Sequence, residues 1–142
     1  MNLLKKMIGC TFDSYETHPS GSDITLLLLK GPQTFRFVHH WDCCEDVRLE
    51  DVAGELDDLI GSPILGAEVE SNHDNPIKDE FGYYPGSHTW TFYKLRTAKG
   101  YVTLRFIGIS NGYYSESVDI EMMEPDGKFI DEWSWNRKNQ NG

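Results

Sequence analysis

The chain has 142 residues, 39% of them hydrophobic and 13% aromatic, and a formal net charge of -10 from 13 basic and 23 acidic side chains. That length fits one domain with a real core, and the aromatic share excludes a chain disordered throughout. The acidic excess repels phosphate backbones and anionic bilayers, so neither direct nucleic-acid binding nor membrane association is expected.

In chain order, residues 3–8 read as a short helix or turn stopped by Gly9, and residues 10–15 as a first strand. Turn chemistry at 18–23 precedes a strand over 24–30, apolar on both faces. Gly31-Pro32 turns the chain into a hairpin partner over 34–38. After a polar corner at 39–45, Val47 and Leu49 alternate with charged residues as a short strand. Asp51 then caps an expected helix reaching Ile60, weakened by Gly54 and ended by Gly61. A strand over 64–69 leads to a long polar loop at 71–88. Residues 89–97 and 101–107 form a hairpin, in which Trp90 and Phe92 face opposite to Thr91, Tyr93 and Leu95. Its aromatics Trp90, Phe92, Tyr93, Tyr101 and Phe106 read as core. A last strand covers 114–122, and residues 129–135 add a short arm. The expected class is α+β, mostly antiparallel sheet with about seven strands and one short helix. One domain spans residues 1–135, followed by a frayed polar tail at 136–142.

The three cysteines are Cys10, Cys43 and Cys44. Neighbouring cysteines close only a strained ring, so no disulfide framework is expected. With no signal peptide and no apolar run longer than residues 26–29, a reducing, cytoplasmic setting is expected.

Two stretches echo each other. Arg36-Phe37-Val38, a corner, and Glu45-Asp46-Val47-Arg48-Leu49-Glu50 resemble Arg105-Phe106-Ile107, a corner, and Glu116-Ser117-Val118-Asp119-Ile120-Glu121. A duplication would put the two corners in related positions, where they can converge on one cleft; two unrelated bends satisfying local backbone groups are the plainer alternative.

The first corner holds His39, His40, Asp42, Cys43, Cys44 and Glu45. These are metal-ligand types, but the spacing has neither C-x-x-C nor H-x3-H, and adjacent strand residues point to opposite faces. No metal and no cofactor is therefore expected. His39, His40, His73 and His88 are possible bases for a cysteine nucleophile, yet nothing marks an oxyanion hole. The second corner supplies Asn111, Tyr113, Tyr114, Ser115 and Glu116, a mix suited to stacking and adaptable hydrogen bonding, or to a tight hairpin packed on the sheet.

Asp42-Cys43-Cys44-Glu45-Asp46-Val47 and Ser110-Asn111-Gly112-Tyr113-Tyr114-Ser115, within a likeness over residues 3–121, resemble a domain family of bacteriophages and bacteria to which no activity is assigned. The resemblance implies a small accessory protein of a phage or mobile element, acting in the host cytoplasm, with anti-defence action as an analogy. The leading expectation is a non-enzymatic protein that sequesters a nucleotide-like ligand between the two corners, with Arg36, Arg105 or Lys94 as phosphate donors. The alternative is an acidic, DNA-mimic-like inhibitor of a host nuclease or defence protein, motivated by the acids over 45–58. A metal- or thiol-dependent enzyme comes third. Self-association as a homodimer through edge strands is also expected.

Overall fold

The computed structural model describes residues 2–74, 87–110 and 115–139. A one-turn helix α1 (Leu3–Lys6), capped by the Asn2 side chain on the Lys5 amide, opens the chain. Strands β1 (Ser14–Thr17), β2 (Thr25–Lys30) and β3 (Phe35–Val38) follow as an antiparallel meander. After the first corner the chain enters the other sheet as β4 (Asp46–Ala53), and a 3-10 turn (Leu56–Leu59) leads to β5 (Gly66–Asp74), β6 (Ser87–Thr97) and β7 (Gly100–Ser110). It then returns as β8 (Asp119–Met123) and β9 (Phe129–Asp131), ending in α2 (Glu132–Lys138). The described residues form sheets ordered β1-β2-β3-β8-β9 and β4-β7-β6-β5, antiparallel throughout. The class is α+β and mostly antiparallel sheet.

The two sheets meet through aromatic side chains. Phe37 of β3 lies 5.6 Å from Phe106 of β7 in a stacked arrangement and 4.8 Å from Tyr93 of β6, edge to face. Both phenylalanines are fully buried. Burying each such ring contributes roughly 1.5–3 kcal/mol, before the specific ring geometry is counted.

Several local expectations change. The helix expected over 51–60 is absent: β4 runs to Ala53, paired along β7, and only Leu56–Leu59 turns, as a 3-10 segment. Val47 is buried and Leu49 and Val52 pack against the core, so alternation with period two outweighs the helical spacing. Gly54 takes a φ of 97° that a helix does not allow, and a Cβ there would sit 2.7 Å from the Tyr101 carbonyl oxygen. The hairpin aromatics divide: Tyr93 and Phe106 are core, whereas Trp90 and Phe92 stack on the outer face and Tyr101 is 71% exposed. Arg105 lies over both outer rings. The final arm becomes β9 and then α2, which continues through Lys138.

The echo has a structural counterpart. Each sheet is a three-stranded meander completed by a strand from the other half: β8 joins β1-β2-β3, and β4 joins β5-β6-β7. Phe37 faces Ile120 across one seam as Phe106 faces Leu49 across the other, and Val38 faces Asp119 as Ile107 faces Arg48. Arg36 pairs with Glu121, while Arg105 pairs with Asp51, shifted one place from Glu50 by a bulge. The leading segments correspond too. Ile8-Gly9 after α1 and Ile60-Gly61 after the 3-10 turn both carry a left-handed glycine, at φ 94° and 80°. The segments bond to each other through Gly61 N to Phe12 O, Gly9 N to Ile64 O and Ile64 N to Cys10 O. The halves thus share a strand order, with exchanged fourth strands. β9 and α2 have no counterpart in the first half.

Candidate functional site

The first corner carries the chain from one sheet to the other, so its backbone leaves ladder pairing and needs other partners. In the first corner those partners converge on Glu45. Its buried carboxylate accepts the amides of Asp42 and Cys43, both at 2.9 Å, and the His39 Nε2 proton at 2.9 Å. These hydrogen bonds, the Asp42 amide first, hold its carboxyl down to about 2, against the opposing effect of burial. His39 Nδ1 faces the Ser117 carbonyl oxygen at 2.7 Å. Both ring nitrogens therefore face acceptors, and both contacts are hydrogen bonds only when the imidazole carries two protons. Trp41 packs edge-on against that ring at 4.8 Å. Cys43 and Cys44 are exposed and joined as a disulfide between adjacent residues, with Cα atoms 3.7 Å apart. The bond cross-links neighbours only, so it is no disulfide framework.

The second corner repeats the device with Glu116, the echo of Glu45. Its buried carboxylate accepts Thr89 Oγ1 at 2.7 Å and the Ser110 hydroxyl. Gly108 makes room for it: a Cβ there would lie 2.6 Å from the Glu116 Cβ and 2.8 Å from its carbonyl oxygen. The two corners touch through His39 and Ser117, and β4 pairs with β7 beside them, Val47 opposite Gly108. Their junction is filled by His39, Glu45 and Glu116, all buried.

Open space lies to the side, around Tyr93, whose hydroxyl donates to the Val118 carbonyl at 2.8 Å. A hollow of about 330 Å3 on one side of it is lined by Ser115, Glu116 and Ser117 against β5 and β6. A larger one of about 420 Å3 is bounded by α1, β8, and the start of α2. Its wall holds four carboxylates: Asp119, Glu121, Asp131 and Glu132. Glu132 accepts the Leu3 amide at 2.7 Å, and Asp131 caps α2 through the Ser134 amide at 2.7 Å. Glu121 is taken by Arg36, at 2.6 and 2.9 Å, and by His40 at 2.8 Å. The Asp119 carboxylate has no hydrogen bond or ion pair among the described residues. Its carboxyl is raised chiefly by partial burial, with His40 opposing and Glu121 adding to the lift. Trp133, 66% exposed, stands at the rim.

The expected site residues thus separate. His40 lines the larger hollow, and Ser115 and Glu116 line the smaller. His39 and Glu45 are internal to the junction, and Asp42, Cys43 and Cys44 are exposed on the corner. Arg36 lies under the Phe129 ring and against Glu121, and Arg105 sits on the outer face of the other sheet against Asp51. Asn111, Tyr113 and Tyr114 lie outside the described residues. Sequence reasoning passed over Asp119, Asp131, Glu132 and Trp133. Asp131 followed by Glu132 at a helix start was a legible capping signal, but nothing local tied it to Asp119 or to α1.

Among the described residues, no group of three or more His, Cys, Asp or Glu side chains is arranged to hold a metal ion, and no helix is long and apolar enough to cross a membrane. The chain matches no curated protein and no solved structure. Residues 2–120 match the model of a domain of unknown function, DUF7448, and the chain belongs to that family.

Proposed function

We propose that this chain is a non-enzymatic binding protein that holds a basic segment of a protein partner in the larger hollow, and thereby acts as an acidic inhibitor. The observation that carries this reading is the composition of that hollow. Its lining residues include four carboxylates, one histidine and no lysine or arginine. An exposed tryptophan at the rim gives an amphipathic anchor beside the charge. A lysine or arginine entering there meets Asp119, whose carboxylate has no partner to give up among the described residues. The net charge of -10 steers a basic partner toward the molecule from a distance. The partner class is a protein with an exposed basic surface, such as the nucleic-acid-binding face of a nuclease or a defence effector. The setting in a phage or mobile element belongs to the same proposal and rests on the family resemblance.

A nucleotide-like ligand requires cations at its phosphates. Arg36 is neutralised by Glu121 and Arg105 by Asp51, on two different sheets. The basic-partner reading is therefore preferred. The test is a calorimetric titration with short Arg/Lys-rich peptides containing one aromatic residue, and with mononucleotides and cyclic dinucleotides. The peptides are expected to bind with an affinity that falls with added salt, and Asp119→Lys is expected to abolish binding while leaving the fold intact. Nucleotide binding without peptide binding would overturn the reading.

A further inference from the structure

We propose that Cys43 and Cys44 are a reversible thiol–disulfide site on the surface of the first corner, exchanging with a small dithiol or with the glutathione couple. Both residues are exposed, neither belongs to the core, and their sulfurs are joined. The sequence separation of the bond is 1, so it closes no loop of chain and restricts the unfolded state hardly at all. A staple for the fold is thus not what the bond supplies. What remains is chemistry, because exposed sulfurs are open to an attacking thiolate.

The corner is built to keep the pair together in both states. Glu45 grips the Asp42 and Cys43 amides from inside and is itself held by buried His39. The backbone carrying the sulfurs is therefore anchored independently of the bond between them. Cys10, the third cysteine, is half-buried, bonds to the Lys6 carbonyl at 3.3 Å, and has no cysteine partner. Exchange is thus confined to the adjacent pair.

In the reductive direction, a thiolate of the dithiol attacks one sulfur. The Sγ–Sγ bond breaks, and the departing cysteine thiolate takes a proton from water. The second thiolate of the reductant then attacks its own sulfur in the mixed disulfide, releasing the other cysteine, which is protonated in turn. Two electrons and two protons pass to the protein pair, and the reductant leaves as its cyclic disulfide. Oxidised glutathione runs the sequence backward and departs as two glutathione thiols.

The test uses the full chain, alkylated with iodoacetamide under non-reducing conditions and weighed intact. After oxidised glutathione, label is expected at Cys10 at most. After dithiothreitol, Cys43 and Cys44 are expected to take label as well. Returning the reduced protein to oxidised glutathione should restore the form lighter by two hydrogens, with no glutathione attached. The thermal midpoint should differ between the two states by no more than about 2 °C, since the ring cross-links only neighbours. Cys44→Ser, which has no resolving thiol, should accumulate one glutathione at Cys43. Persistent glutathione on the native pair, label at both cysteines in the oxidised sample, or no adduct on Cys44→Ser would each overturn the proposal.

Discussion

His39 Nδ1 lies 2.7 Å from the carbonyl oxygen of Ser117, 78 residues further along the chain, and this contact ties the two sheet-crossing corners together. The same ring reaches Glu45 through Nε2, so one buried side chain links both crossings. Replacing His39 by Leu leaves the buried Glu45 carboxylate without its ring donor and removes the ring contact to the Ser117 carbonyl. The expected result is a thermal midpoint lower by about 10 °C, read by differential scanning calorimetry. An unchanged midpoint would show that the linkage is dispensable.

Glu45 also sets an acid limit. Its carboxyl is depressed from 4.5 to about 2 by the amides it accepts, Asp42 first. A depressed carboxyl contributes stability that is present above its unfolded value and is lost as pH falls through the folded one. Wild type should therefore exceed Glu45→Gln in urea-unfolding stability at pH 6. The gap should narrow between pH 4.5 and 2, and close below about 2. A gap independent of pH would mean that the ionised form is not what the corner holds.

Gly108 offers a steric test of the second corner. A methyl group there collides with backbone and Cβ atoms of Glu116, not with the tip of a flexible side chain. Gly108→Ala should destabilise the protein by about 1–3 kcal/mol, the usual cost of overpacking. Chemical denaturation with an unchanged slope would report it. Stability equal to wild type would mean that the Glu116 segment can move away.

Phe37 is the hinge of the sandwich core, touching both Phe106 and Tyr93 of the opposite sheet. Phe37→Ala should cost about 3–5 kcal/mol, and Phe37→Leu less. If the two substitutions were equally mild in denaturant unfolding, the inter-sheet contact would not be the centre of the core.

The proposed basic-segment binding has its own pH signature. The Asp119 carboxyl is raised by partial burial, so it takes up its proton above the ordinary aspartate range. Only the ionised form attracts a cation. Peptide affinity should therefore weaken as pH falls, beginning above the ordinary aspartate value, and Asp119→Asn should remove that part of the slope. Isothermal titration across pH 7 to 4 gives the comparison; a wild-type slope retained in Asp119→Asn would assign it to another group.

Much of the strand pattern was legible because alternation is a local property. The alternating faces of β6 and its hairpin to β7 follow from the order of residues alone. The helix expected at 51–60 failed for the same reason in reverse. Val52 and Leu56 also fit a helical spacing, and only the partner strand β7 decides that the first of them is in a ladder. The aromatic hairpin was legible as aromatic but not as two-faced in its burial, since Trp90 and Tyr93 differ only in which side the other sheet covers.

Composition and periodicity by themselves determined an acidic α+β chain of antiparallel strands, and the repeated Arg-Phe and Glu-x-Val segments already carried the halves' likeness. Only the tertiary structure decided that the halves exchange their fourth strands, that Glu45 and Glu116 are buried at the crossings, and that Asp119 meets Asp131 and Glu132 in one hollow. The physical reason is range: alternation and turn chemistry act over a few residues. Strand exchange and the charge of a hollow depend on which distant segments the core brings side by side.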